Sequence, residues 1–151
     1  MSRKILVAVD LDAPFAIALI EHAQRFAAVM GDRLALLHVV ERGGRIAFRG
    51  AVAELPTDPA TLIEAAEGWR ERLNEQLETP IAPGQLRLRG GSINEQIGAE
   101  IEEQGFELLI LGGESRHTLA LFFDGGGTAR LARHAPCDVL VVARNKLGIE
   151  D

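Results

Sequence analysis

Short apolar runs alternating with helical patterns decide what this chain can fold into. Lys4–Asp10 (KILVAVD), Arg33–Val40 (RLALLHVV), Glu107–Leu111 (ELLIL) and Asp138–Val142 (DVLVV) are near-continuous apolar stretches, and Gln85–Arg89 (QLRLR) is a shorter one. Runs of this length and density mark strands covered on both faces. Between the first two, Phe15, Leu19, His22, Phe26 and Met30 recur at three- or four-residue steps, with Asp12 as the expected cap, Pro14 near the start and Gly31 at the end. After a looser stretch over Glu41–Thr57, Asp58–Pro59 opens a second helix whose apolar face is Leu62, Ala66, Trp69, Leu73 and Leu77. Ser92 and Glu95 have the spacing of a capping box, ahead of a stripe made by Ile93, Ile97 and Ile101 and closed by Gly105. A loop over Gly112–Gly127 and a short helix over Thr128–His134 lead into the last strand. The order βαβαβαβαβ predicts an α/β fold: an open five-stranded parallel sheet with helices on both faces. A single domain is expected over 1–151, with its core in 3–143 and a polar tail in 144–151.

Composition narrows the function. Of 151 residues, 47% are hydrophobic and 25% charged, as in ordinary globular proteins, which excludes collagen-like and disordered chains. The net charge of −6 and the absence of tyrosine argue against nucleic acid as a partner. A single cysteine, Cys137, rules out an intrachain disulfide and fits a reducing, cytoplasmic setting. The first apolar run is too short for a signal peptide or a membrane span.

In an open parallel sheet, ligands bind beyond the carboxyl ends of the strands, where the winding reverses. Several devices for such a site are missing. Val9–Asp10–Leu11–Asp12 stands where a GxGxxG turn would follow the first strand. No GxxxxGK[ST] phosphate loop, GxSxG elbow, CxxC or HExxH occurs. No nucleophile is paired with a base, so an enzyme is not expected, nor is a protein metal site.

The segment from Leu111 to Val142, LGGESRHTLALFFDGGGTARLARHAPCDVLVV, carries the remaining signal. Together with the VAVD first strand and the LLHVV second strand, it resembles the universal stress protein family over about Lys4 to Val142. That resemblance implies a Rossmann-like fold of the adenine nucleotide alpha hydrolase type. It also implies a loop of the form G-x2-G-x9-G-[S/T] that holds phosphates. Counted back from His134–Ala135–Pro136–Cys137, Gly112 matches the first glycine, Ser115 the second, Gly125 the third and Gly126 the hydroxyl residue. Arg116 matches a basic residue of many family loops. By the same resemblance Asp10 faces the adenine or ribose, and Val39 and Val40 give backbone contacts to the base.

The loop has its own physical reading. Glycines let backbone N–H groups approach phosphate oxygens, and a helix opening at Gly127–Thr128 would aim its positive end at them. Ser115 either crowds that approach with its Cβ or adds a donor. The lost hydroxyl at Gly126 removes one hydrogen bond to a charged group, worth about 1.5–3 kcal/mol, or roughly ten- to hundredfold in affinity. Asp10 has two readings: an acceptor for a ligand's amino or hydroxyl group, or a carboxylate serving loop N–H groups. Arg42, Arg45 and Arg49 read as a solvated loop, His38 as packing, and Cys137 as a small buried residue. The expectation is therefore a stress-response regulatory protein that binds ATP or AMP, with magnesium, weakly. The alternative is a nucleotide-independent dimeric interaction module. If the winding follows the order that the resemblance implies, the apolar last strand lies at a sheet edge and predicts a homodimer through residues 138–143, as the resemblance also implies.

Overall fold

The computed structural model describes residues 3–41, 44–54, 58–112 and 137–142. Five strands form the parallel sheet: β1 (Lys4–Ala8), β2 (Arg33–Val40), β5 (Leu86–Gly90), β6 (Leu108–Gly112) and β7 (Asp138–Val142). Their spatial order is β5-β2-β1-β6-β7. The chain winds outward from β1 through β2 to β5, then returns to the other side of β1, so the winding reverses between β1 and β6. The fold class is the one the apolar runs predict.

Strand alternation divides the core in two. Ile5, Val7, Val9, Leu36, Leu86, Leu88 and Ile110 pack against α1 (Ala16–Met30) and α2 (Pro59–Asn74). Leu6, Ala8, Leu37, Val39, Leu109 and Leu111 face α3 (Ile93–Gln104) and Phe106. Helices thus cover both faces among the described residues. The expected helix over Thr128–His134 and the polar tail lie outside them.

Three local expectations need correcting. First, α1 does not begin at an Asp12 cap. Its N-cap is Phe15, with no side-chain bond, because Asp12 N–H is taken by the Asp10 carboxylate (3.1 Å) and Ala13 N–H by the Asp10 carbonyl (3.0 Å). The residues from Asp10 to Ala13 are a turn that postpones the helix. Second, Ser92 caps α3 by position only, and its side chain makes no capping bond. Third, the loose stretch contains an antiparallel hairpin, β3 (Arg45–Phe48) and β4 (Ala51–Glu54). Both turn residues have positive φ, Arg49 at 48° and Gly50 at 84°, as a tight two-residue turn requires. Ile46 and Phe48 are buried in the α1/α2 core, so this segment is packed rather than solvated. By contrast, Asp58 caps α2 as expected: its carboxylate accepts from Thr61 N–H (3.0 Å) and hydroxyl (2.8 Å), which holds it below the usual carboxylate range.

Candidate functional site

The site region is built where β1, β2 and β6 end. Register Ala8↔Leu111 between β1 and β6 sets Val9 level with Gly112, with Asp10 one residue further on. Asp10 is only 3% exposed, and its Oδ1 accepts from Asp12 N–H across the turn. A carboxylate bonding its own chain two residues on is a common turn former. One oxygen therefore does the structural job foreseen for this residue.

Gly112 ends β6 under α1. A Cβ there would stand 3.1 Å from both Phe15 Cε2 and Leu19 Cδ2. The residue thus lets α1 pack tightly over the end of β6, whatever else it does.

At the end of β2 the two valines point their backbones opposite ways. Arg33 N–H donates to Arg3 on the β1 side, and Val9 N–H donates to the Leu37 carbonyl. Leu36 N–H and the Val40 carbonyl bond instead on the β5 side, to Gln85 and Gly91. Odd-numbered residues of β2 therefore face β1, so Val39 turns its N–H and carbonyl toward β1. The Val40 carbonyl is engaged by Gly91 N–H at 3.0 Å.

His38 lies beneath this corner, 1% exposed. Leu11 N–H donates to its Nδ1 at 3.2 Å, and the Val9 carbonyl lies 3.1 Å from the same atom. The imidazole ties the turn after β1 to β2. The sequence reading as a packing residue missed this bracing role. The signal was a lone polar residue inside the run LALLHVV.

Next to the turn, a cleft of about 400 Å³ separates Leu11–Pro14 and the first turn of α1 from the hairpin tip, Phe48–Arg49–Gly50. Ser115, Arg116, Gly125, Gly126 and Gly127, the other expected site residues, lie outside the described residues. Of the nine expected positions, the structure gathers Asp10, Val39, Val40 and Gly112 at one end of the sheet. Among the described residues no cluster of three metal-ligating side chains exists, and no helix is long and apolar enough to cross a membrane. Cys137 is half-buried rather than buried, and burial raises its thiol pKa, with Asp138 adding to the effect.

The sequence model of the family described as "Universal stress protein family" matches residues 1–143. The chain belongs to the universal stress protein family. A curated relative, universal stress protein A homolog 2 of Coxiella burnetii, is 31% identical over 143 residues, covering 93% of this chain and 94% of the relative. Among solved structures, a universal stress protein in complex with cAMP aligns with TM-score 0.57 and 19% identity, over 94% of this chain and 97% of the other. UspA from Lactobacillus plantarum aligns with TM-score 0.53 and 25% identity, over 93% of this chain and 97% of the other. These likenesses agree with the parallel-sheet fold, in the order β5-β2-β1-β6-β7, described above.

Proposed function

We propose that this universal stress protein is a regulatory protein that binds an adenine nucleotide, ATP or AMP, at the end of β1 and β6. The observation that carries the reading is the juxtaposition of Asp10 and Gly112 across the switch point, the place where open parallel sheets take ligands. A relative of the same fold in complex with cAMP supports an adenine nucleotide as the ligand class. In this reading Asp10 accepts from the ribose or base and Val39 offers main-chain groups to the base. Val40 contributes mainly by fixing the strand end. Gly112, Ser115, Arg116 and Gly125–Gly127 form the phosphate loop, with Mg²⁺ arriving on the phosphates of ATP rather than on protein ligands. The altered loop makes binding weak. The chain acts through conformation and partners, not through turnover, as one domain over 1–151 with its core in 3–143, working in the cytoplasm.

The same reading includes a homodimer through 138–143. Asp138 N–H donates to the Glu107 carbonyl at 3.2 Å, so even-numbered residues of β7 bond to β6. Val139 and Val141 therefore turn their backbone groups outward, and the two residues are 37% and 38% exposed. An apolar edge of this kind favours pairing with a second copy. It also favours the second reading, a dimeric interaction module that needs no nucleotide.

Calorimetric titration of Mg·ATP and AMP into protein stripped of nucleotide separates the two. Stoichiometric binding at micromolar to sub-millimolar concentration, lost in Gly125→Val, is expected. No heat from either ligand up to millimolar concentration leaves only the nucleotide-independent dimer.

A further inference from the structure

The amino ends of the strands, at the far end of the sheet from Asp10 and Gly112, carry a charge arrangement that the proposed function does not use. Lys4 opens β1, Arg33 opens β2, and the two stand side by side in the strand register. By strand alternation Lys4 shares a face with Leu6 and Ala8, and Arg33 with Leu37 and Val39, on the side covered by α3. Arg87 of β5 turns to the same side. The three cations line one pocket of about 180 Å³, bounded by Gln104 and Phe106 at the end of α3, and no carboxylate lines it. In a chain of net charge −6 this concentration runs against the composition.

The donors around the pocket are only partly used. Lys4 Nζ donates to the Gln104 carbonyl and lies 5.0 Å from the centroid of the Phe106 ring, so one of its tasks is to hold the carboxyl end of α3. An ammonium has three donors, and that carbonyl takes one. Arg87 pairs with Glu100 through Nε, and its two Nη groups make no hydrogen bond among the described residues. The exposed side chain of Arg33 makes neither an ion pair nor a hydrogen bond among them. The neighbouring carboxylates are engaged elsewhere: Asp32 with Arg3, and Glu103 with Arg89. Glu107, whose N–H donates to the Lys4 carbonyl, forms no ion pair with the Lys4 ammonium.

Donors from three strands around one small pocket complement a tetrahedral anion. A carboxylate offers two oxygens in one plane, whereas a phosphate group offers oxygens on several sides, and a guanidinium fork takes them two at a time. The pocket is smaller than the ~300–1,000 Å³ of sites for whole small molecules, so its ligand is compact. We propose that it binds a small phosphate-type anion, inorganic phosphate or pyrophosphate, between Arg33, Arg87 and Lys4. From Lys4 to Asp10 the extended chain covers roughly 20 Å. The site is therefore separate from the one proposed for the nucleotide and does not depend on it.

An amide-resolved NMR titration with sodium pyrophosphate at constant ionic strength tests this. Saturable shifts are expected at Leu34, Gly84, Gln104 and Phe106, while shifts at Gly112 report separately on the loop after β6. Arg33→Gln should weaken the binding read at the first set about ten- to hundredfold, Arg33→Lys less, and Gly125→Val not at all. Melting temperatures near wild type are expected for the Arg33 variants, because this side chain is exposed. Citrate, which brings carboxylates instead of phosphates, should bind the pocket more weakly. No saturable shift at these residues up to millimolar pyrophosphate, equal affinity in Arg33→Gln, or citrate bound as tightly as pyrophosphate overturns the proposal. Shifts confined to Gly112 and lost in Gly125→Val also overturn it, while leaving the nucleotide reading standing.

Discussion

The sheet ends in two very different strands. At one edge β5 reads LRLRG, and Leu86 and Leu88 pack into the α1/α2 core while Arg87 and Arg89 turn to the α3 side. There they meet Glu100, which is fully buried. Arg89 Nη1 lies 2.9 Å from both Glu100 Oε1 and Glu103 Oε2, Arg89 Nε donates to Gln96 at 3.0 Å, and Arg87 Nε pairs with the other Glu100 oxygen. At the opposite edge β7 reads DVLVV, Val139 and Val141 are exposed, and no ion pair among the described residues involves this strand. Charged side chains on an edge strand discourage pairing with another chain, whereas an apolar β-branched edge invites it. Among the described residues, the β5 end of the sheet is the one closed by charged side chains, and the β7 end is the one through which the proposed dimer would form.

The largest effect should come from blocking the open edge at its backbone. In Val141→Pro the missing N–H is one that points away from β6, so the parallel ladder within the chain is kept, as edge strands allow. Pairing with a second β7 loses a bond at two symmetric positions and meets two proline rings. We expect a change from dimer to monomer in sedimentation velocity at micromolar concentration, with dimer affinity down at least a hundredfold and the circular dichroism spectrum unchanged. The matching Leu88→Lys change at β5 is expected to destabilise the core without altering the oligomer. A dimer that survives Val141→Pro removes the contrast between the edges.

Next in size is the buried carboxylate of the closed edge. Glu100→Ala leaves two guanidiniums without their shared acceptor and a small void beside Ile97 and Ile101. Breaking a fully buried pair typically costs about 3–5 kcal/mol. The side chains of Arg87 and Arg89 are 40% and 20% exposed and can turn to water, so about 2–3 kcal/mol is expected here. Urea unfolding measures it. A loss below about 0.5 kcal/mol would mean that packing, not charge, closes this edge.

The two edges were not equally legible in the sequence, and neither were the parts of the site. All five sheet strands could be read because each is covered on both faces or ends in an apolar run, and the Asp58–Pro59 start of α2 was clear because a cap and a proline agree there. Glu100 was missed: charges on a helix usually face water, and only its register beside Ile97 and Ile101, opposite the alternating arginines of β5, marked it as buried. The hairpin was missed because Arg-Gly is an unusual turn pair and its strands are four residues long. Yet Ile46 and Phe48, two apart, carried the alternation. Asp12 and Ser92 misled for the opposite reason, since a capping motif states only that a bond can form, and at Asp12 the turn built on Asp10 took the N–H groups first. At the site, Asp10 and Gly112 were legible as neighbours once the winding order was known. The opposite backbone directions of Val39 and Val40 follow only from which parity faces β1.

The smallest effect tests whether the closed edge depends on charge at its outer rim. Glu103 is exposed, and its hydrogen bond with Arg89, aided by the attraction of the same guanidinium, holds its carboxyl below the ordinary glutamate range. A carboxyl with a lowered folded-state pKa adds stability that is complete above its unfolded value and disappears as pH falls through the folded one. Wild type should therefore lose this contribution on acidification from the ordinary glutamate range downward, and Glu103→Gln should show a flatter acid limb over that window. At neutral pH the variant should be slightly less stable, and added salt should shrink the gap, because an exposed pair is screened. If Glu103→Gln instead tracks wild type from neutral pH down through the acid limb, the rim adds nothing. The closure of β5 then rests on Glu100, a single buried carboxylate shared by two arginines, with Gln96 holding Arg89 beside it.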